Sequence, residues 1–216
     1  EDLLFEEGAA MAEECLKEKV SVILGPGTNI KRAPTCGRNF EYFSEDPLLA
    51  GKCSAAIING VQSKGVGTSL KHFACNSQEA FRMVLNEVID ERTMREIYFP
   101  AFEIAVKEAQ PWTIMNSYNR INGVYASQNE WLQEKVLRDE WGFEGFVVSD
   151  YNGITEMINH GFAEDEKDAV CKAFNAGLDM VMVGNAYNNY LPELVEEGKV
   201  SEEKITHSAE IVVAFK

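Results

Sequence analysis

The sequence predicts an α/β protein built on a parallel sheet. Short runs that are apolar at successive positions, not alternate ones, recur at residues 20–24, 67–70, 112–115, 146–148 and 180–183. Such runs mark strands buried on both faces. Helical patterns lie between them, and after residue 110 the runs begin near 112, 146 and 180, the spacing of a strand–helix unit. Polar residues follow the runs, and in parallel folds ligands bind at the carboxyl ends of strands. Five runs are visible, whereas a closed (β/α)8 barrel needs eight strands and about 250 residues. Periodicity alone leaves a barrel and an open doubly wound sheet as alternatives.

The elements follow in order. Residues 3–19 place Glu6 and Glu7 early and Lys17 and Lys19 late, matching the helix dipole. The first strand ends in Gly25-Pro26-Gly27. This is read as a turn, because the phosphate-loop spacing is absent and Pro26 removes a backbone donor. Asp46-Pro47 reads as a turn before a helix, and the second strand leads into Lys71-His72. Asp90 caps a helix running to Tyr98, and Pro100 starts another with Phe102, Ala105, Val106 and Ala109 on one face. The third strand precedes Asn116-Ser117-Tyr118. Asn129 caps the helix carrying Leu132 and Val136. The fourth strand ends in Ser149-Asp150. Val170, Ala173 and Phe174 mark a further helix that stops at Gly177. Ser201 caps the last, whose Ile205, Ala209, Val212 and Val213 face one way.

The chain has 216 residues, 45% of them hydrophobic and 25% charged, and a net charge of −15. These values suit a globular domain and argue against nucleic acid or an anionic membrane surface as a partner. No run approaches 18 apolar residues. Five cysteines (Cys15, Cys36, Cys53, Cys75, Cys171) and three scattered histidines form no C-x-x-C or zinc pattern. Reduced thiols, a cytoplasmic location, no metal and no cofactor are therefore expected. The N-terminus has no basic n-region and begins almost inside a helix, so the natural start is expected further upstream.

Asp150 is the focus of the functional reading. A carboxylate at the end of a buried strand is costly unless paired or used. It could serve as a nucleophile, a general base, a metal ligand or a helix cap. Arg38, Lys71 and Arg82 are expected to lower its pKa and keep it ionised for nucleophilic use, with the Tyr118 hydroxyl holding it in place. Lys, His, Arg and Asn side chains clustered after strand ends suit vicinal hydroxyls of a sugar. Tyr118, Tyr151 and Trp112 offer faces for a sugar ring, although core packing is the more ordinary role for Trp112.

Longer stretches carry a resemblance: LGPGTNIKRAPTCGRNFEYFSEDPLLAG at 24–51, KHFACNSQEAFR at 71–82, VIDERTMREIYFPAFEIAVKEA at 88–109, IMNSYNRINGVYAS at 114–127 and LRDEWGFEGFVVSDY at 137–151. The chain resembles glycoside hydrolase family 3, the β-glucosidase family. The resemblance implies a (β/α)8 TIM-barrel-like fold, incomplete here. Residues 1–216 would form the N-terminal barrel domain without its first strands and without the following domain. It also implies retaining hydrolysis of a terminal β-glucoside or related β-glycoside through a covalent glycosyl-enzyme on Asp150. Arg38, Lys71, His72, Arg82, Met115, Tyr118 and Tyr151 would bind the sugar.

Three departures matter. Tyr151 stands where the family usually has Trp. The family's early substrate-binding Asp is expected upstream of residue 1. Its acid/base Glu commonly lies beyond residue 216, and no family motif makes Glu41, Glu79 or Asp90 that acid. The expected partners are therefore a β-glucoside or oligosaccharide and the missing remainder of the enzyme. The rival reading is a non-catalytic sugar-binding barrel module, or a fragment inactive without its acid/base partner.

Overall fold

A computed structural model describes residues 1–215. Helix α1 (Asp2–Lys17) leads to β1 (Val22–Ile23), a long polar loop, and α2 (Pro47–Gln62). Asp46 caps α2, its carboxylate accepting from the Leu48 and Leu49 amides with Pro47 in the first turn. Strand β2 (Gly67–Phe73) follows, then β3 (Asn86–Glu87) and α3 (Glu91–Thr93). Asp90 caps α3 through the Thr93 amide. A π-helical stretch, Met94–Tyr98, connects α3 to α4 (Pro100–Ala109).

Strand β4 (Thr113–Asn116) leads to a hairpin of β5 (Arg120–Ile121) and β6 (Val124–Tyr125), and a helix of π type follows at Trp131–Glu140. Asn129 accepts from the Leu132 amide at that helix's start. Strand β7 (Phe146–Val148) is succeeded by α5 (Gly153–Asn159), α6 (Glu166–Asn175), α7 (Ala186–Glu196) and α8 (Glu202–Ala214). Ser201 caps α8 through the Lys204 amide.

The main sheet has the order β1-β2-β4-β7, and every pair is parallel. A single parallel bridge from Val148 to Met180 extends it by one more position. Sequential strands lying side by side, with helices between them in the chain, give a partial TIM-barrel-like α/β fold. A second sheet, β3-β5-β6, sits in the loops.

Three expectations need correction. The second strand runs through Lys71 and His72 to Phe73, so both polar residues belong to the strand. Residues 180–183 form one bridge instead of a strand. There Ser149 takes part in the pairing: its amide donates to the Met180 carbonyl, and its hydroxyl accepts from the Met182 amide. In α8 the buried residue is Ser208, while Ala209 and Val213 face solvent.

The core fills the space between the sheet and the helices. Phe73 is fully buried, with ring centroids 5.2 Å from Phe102, 5.7 Å from Trp141 and 6.3 Å from Phe99. Ala12 on α1 and Ile57, Val61 and Val66 around α2 form a smaller cluster. That cluster depends on close approach of the two helices: a Cβ at Gly60 would collide with the Phe5 carbonyl oxygen. Gly60→Ala is therefore expected to destabilise by about 1–3 kcal/mol, the usual cost of overpacking. A lowered urea midpoint checks this, and an unchanged midpoint would contradict it.

Asp179 fixes the base of β7. One carboxylate oxygen accepts from Arg138 (2.6 Å) and the Val147 amide (2.8 Å), and the other accepts from Ser208 on α8 (2.8 Å). Burial raises its pKa against the pull of Arg138. The clamp sits at the opposite end of β7 from Asp150.

Candidate active site

Four segments converge at the carboxyl ends of the sheet strands. The loop after β1 supplies Arg38, Glu41 and Tyr42, and β2 supplies Lys71 and His72. The segment after β2 supplies Asn76, Glu79 and Arg82. The turn after β7 supplies Asp150. The loop after β1 is tied down by backbone bonds to β2: the Lys71 amide donates to the Pro26 carbonyl and the Thr28 amide to the Lys71 carbonyl. Asn29 clasps the next residue, its side chain bonding both the amide and the carbonyl of His72. In place of the turn expected at 25–27, Gly27 bridges in parallel to both Lys71 and Tyr42, and this pairing aligns the loop that carries Arg38.

Asp150 is 8% exposed. Its backbone amide donates to Asn116 Oδ1 (3.1 Å), and its Oδ1 accepts from the Tyr151 amide (2.7 Å). Its Oδ2 is buried and has no hydrogen-bond partner. The nearest cationic candidate is His72, with Nε2 at 3.7 Å from Oδ2.

His72 is 2% exposed. Its Nε2 lies 2.6 Å from Arg38 Nη1 and its Nδ1 lies 3.2 Å from the Tyr42 hydroxyl. Since Arg38 can only donate, Nε2 must accept, and the ring proton is assigned to Nδ1. Burial, then Arg38, Lys71 and Arg82, hold the His72 pKa well below its ordinary value. The imidazole is therefore neutral and offers no positive charge to Asp150.

The cations are already paired. Lys71 meets Glu41 Oε2 at 2.9 Å, and Glu41 Oε1 meets Arg38 at 3.0 Å. Arg38 Nε meets Glu79 Oε1 at 2.9 Å, and Glu79 Oε2 meets Arg82 at 2.7 Å. Arg82 also lies over the Tyr118 ring, 4.8 Å from its centroid. Tyr118 donates its hydroxyl to the Tyr151 carbonyl, bracing the backbone just after Asp150, and the same hydroxyl stands close enough to the Asp150 carboxylate to act on it.

These pairings correct an electrostatic expectation. Burial raises the Asp150 pKa above its ordinary value, and the Tyr151 amide, Arg38, the neighbouring Tyr118 hydroxyl and Arg82 only partly oppose it. The sequence order correctly suggested nearby cations but could not show that Glu41 and Glu79 are interleaved with them. Desolvation then outweighs their attraction.

The structure brings Arg38, Lys71, His72, Arg82, Tyr118 and Asp150 into one linked cluster. Met115 is buried on β4, beside Val148 of β7 in the register. Tyr151 is 55% exposed, a free aromatic face at the rim. Trp112 precedes β4, at the other end of the strand, and packs against Phe215. It therefore lies away from the site, half-buried beside Phe215 and outside the main core. Asp90 is occupied as a helix cap.

Sequence reasoning did not single out Tyr42, which accepts from Asn76 Nδ2 (2.9 Å) and braces His72. Its only signal was its place in the polar loop beside Glu41. Among the described residues, no group of three His, Cys, Asp or Glu side chains is placed to hold a metal, and no helix is long and apolar enough to cross a membrane. All five cysteines are free thiols.

The profile of the glycosyl hydrolase family 3 N terminal domain matches residues 1–215. An exo-alpha-(1->6)-L-arabinopyranosidase of Bifidobacterium breve is 52% identical over 209 residues, which is 97% of this chain and 26% of that protein. The crystal structure of a GH3 beta-glucosidase from Bifidobacterium adolescentis superposes with a TM-score of 0.89 at 50% identity, covering 99% of this chain and 30% of the other. Beta-glucosidase 3B from Thermotoga neapolitana, solved in complex with glucose, gives 0.86 at 44% identity, covering 99% and 30%. The chain thus spans about a quarter to a third of the length of the proteins it matches.

Proposed function

The chain belongs to the glycosyl hydrolase family 3 N-terminal domain, and on that premise we propose that it carries the nucleophile and much of the sugar site of a retaining β-glucosidase. The observation that carries this reading is the Asp150 Oδ2 atom, buried and without a hydrogen-bond partner at a strand's carboxyl end. An oxygen held by no donor keeps its electron pair available for attack. A sugar-binding module without chemistry would have no use for it.

In the proposed reaction Asp150 Oδ2 attacks the anomeric carbon as the bond to the leaving oxygen breaks. A second carboxyl, roughly 5 Å away, protonates that oxygen, and water then hydrolyses the glycosyl-enzyme with retention. Glu41 and Glu79 each already spend both oxygens on cations. Following the family resemblance, we assign the acid to the part of the longer relatives that this chain does not span. Arg38, Lys71, His72 and Arg82 would meet the sugar hydroxyls, Met115 would line the site, and Tyr151 would face the leaving group. Reduced thiols are consistent with a cytoplasmic setting.

A second reading keeps the mechanism and changes the sugar. The B. breve relative favours an α-L-arabinopyranoside. Nitrophenyl β-D-glucopyranoside and α-L-arabinopyranoside, assayed side by side with the full-length protein, separate the two. No release from either would refute both.

The same assay carries a pH prediction. Nucleophilic attack needs ionised Asp150, and burial raises its pKa in the folded protein. Activity is therefore expected in kcat/KM above that raised pKa and should be lost as pH falls through it, at a pH above the ordinary Asp value of about 3.9. Activity that stays level to pH ~3.9 would contradict the burial argument.

A further inference from the structure

Lys71, Glu41, Arg38, Glu79 and Arg82 form one unbroken chain of alternating charge. Its four links measure 2.9, 3.0, 2.9 and 2.7 Å. Each carboxylate gives one oxygen to each of two cations, so neither is redundant. Side-chain exposure along the chain is only 15–27%, which reduces screening by solvent. Among the described residues, Glu79 is the only carboxylate bonded to both arginines, and Asn76 Nδ2 steadies it at 3.3 Å.

We propose that Glu79 is a positioning residue, holding Arg38 and Arg82 where they face the sugar while keeping their charge from collapsing onto Asp150. The proposal rests on the glycosidase reading for the sugar, but its electrostatic half rests on the charge chain and its contacts with His72 and Tyr118. Arg38 also touches His72 Nε2, which is 3.7 Å from Asp150 Oδ2. Arg82 stacks on Tyr118, whose hydroxyl reaches the Tyr151 carbonyl. Both arginines are therefore one side chain away from the carboxylate. The groups facing Asp150 are His72 from β2, Arg38 from the loop after β1, Arg82 from the loop after β2, Tyr118 from the turn after β4, and the Tyr151 amide. Of these, only the arginines carry full positive charge, and Glu79, shared between them, offsets part of it.

The test is Glu79→Gln in the intact protein. The titration of Asp150 is read by carbon NMR of labelled aspartate carboxyls, with Asp150→Asn identifying the signal. With the counter-charge removed, the Asp150 midpoint should move to lower pH by about one unit, the size of effect that a nearby opposite charge exerts. Glucose should bind roughly tenfold or more weakly by calorimetry. Glu79→Asp, which restores the charge, should return the titration to that of the wild type, a rescue that a merely structural role would not produce. If Glu79→Gln does not fold, Glu41→Gln, which unpairs Lys71 and releases one arm of Arg38, should move the midpoint in the same direction. An Asp150 midpoint unmoved in the folded variant would overturn the proposal. A shifted midpoint in a protein that releases no nitrophenol from either glycoside would uphold the charge-holding role and refute the glycosidase reading.

Discussion

Replacing Asp150 with Asn is expected to lower turnover by a factor on the order of 10⁵ or more, the scale on which loss of a catalytic nucleophile acts. The side chain keeps its size and its Oδ1 contact to the Tyr151 amide, so the site's shape should survive while the attacking oxygen is lost. The same variant should be more stable than the wild type at neutral pH. Burial raises the Asp150 pKa in the fold, so the folded protein favours the uncharged carboxyl. Above the ordinary carboxyl range the ionised group costs stability, and that cost is absent at low pH, where the group is protonated in both states. Asn removes the cost. Thermal melts at pH 7 and pH 3 should show a higher Tm for the variant only at pH 7. A lower Tm at pH 7 would contradict the account of Asp150 as a functional group held at the expense of stability.

Phe73→Ala is expected to destabilise the chain by about 3–5 kcal/mol, the usual cost of emptying a buried aromatic site. Phe73 is fully buried among Phe99, Phe102 and Trp141, rings that leave a cavity too well supported to collapse. Total stabilities near 5–15 kcal/mol make this a large share, and Tm should fall by roughly 6–20 °C. The effect should reach the site, because Phe73 directly follows His72 and Lys71 on β2. Phe40→Ala is the control: that ring is 85% exposed, and its loss should stay within about 0.5 kcal/mol. Equal effects from the two substitutions would contradict this assignment of the core.

His72 makes the fold sensitive to acid. Its pKa in the fold lies well below the ordinary histidine value, chiefly through burial. The stability gained by keeping it neutral is fully present above about pH 6.5 and is lost as pH falls from there toward the folded pKa.

Much of the fold was legible because successive apolar residues have few alternatives to a doubly buried strand. Residues 112–115 and 146–148 became β4 and β7, and the caps at Asp46, Asp90, Asn129 and Ser201 formed as their side chains dictate. Residues 180–183 misled because an apolar run signals burial without saying whether a neighbour will pair with it, and there Ser149 replaces part of the ladder. The candidate site was legible as a set of residues. Arg38, Lys71, His72, Arg82 and Asp150 do meet, brought together by strands and loops far apart in sequence.

What the sequence could not show was their order in space. Lys71 and Arg38 meet through Glu41, and Arg38 and Arg82 through Glu79. That arrangement lets desolvation decide the Asp150 pKa in place of the cations. Periodicity also reports nothing about a side chain that braces another, so no pattern in the sequence marks Tyr42 as the brace of His72.

The most direct test of the account is covalent trapping with a 2-deoxy-2-fluoro β-glucoside bearing an activated leaving group. The full-length protein is digested and its peptides weighed by mass spectrometry. The account predicts one fluoroglucosyl adduct, on the peptide containing Asp150, and none on Asp150→Asn. An adduct on any other carboxylate, or one that persists in that variant, would contradict it.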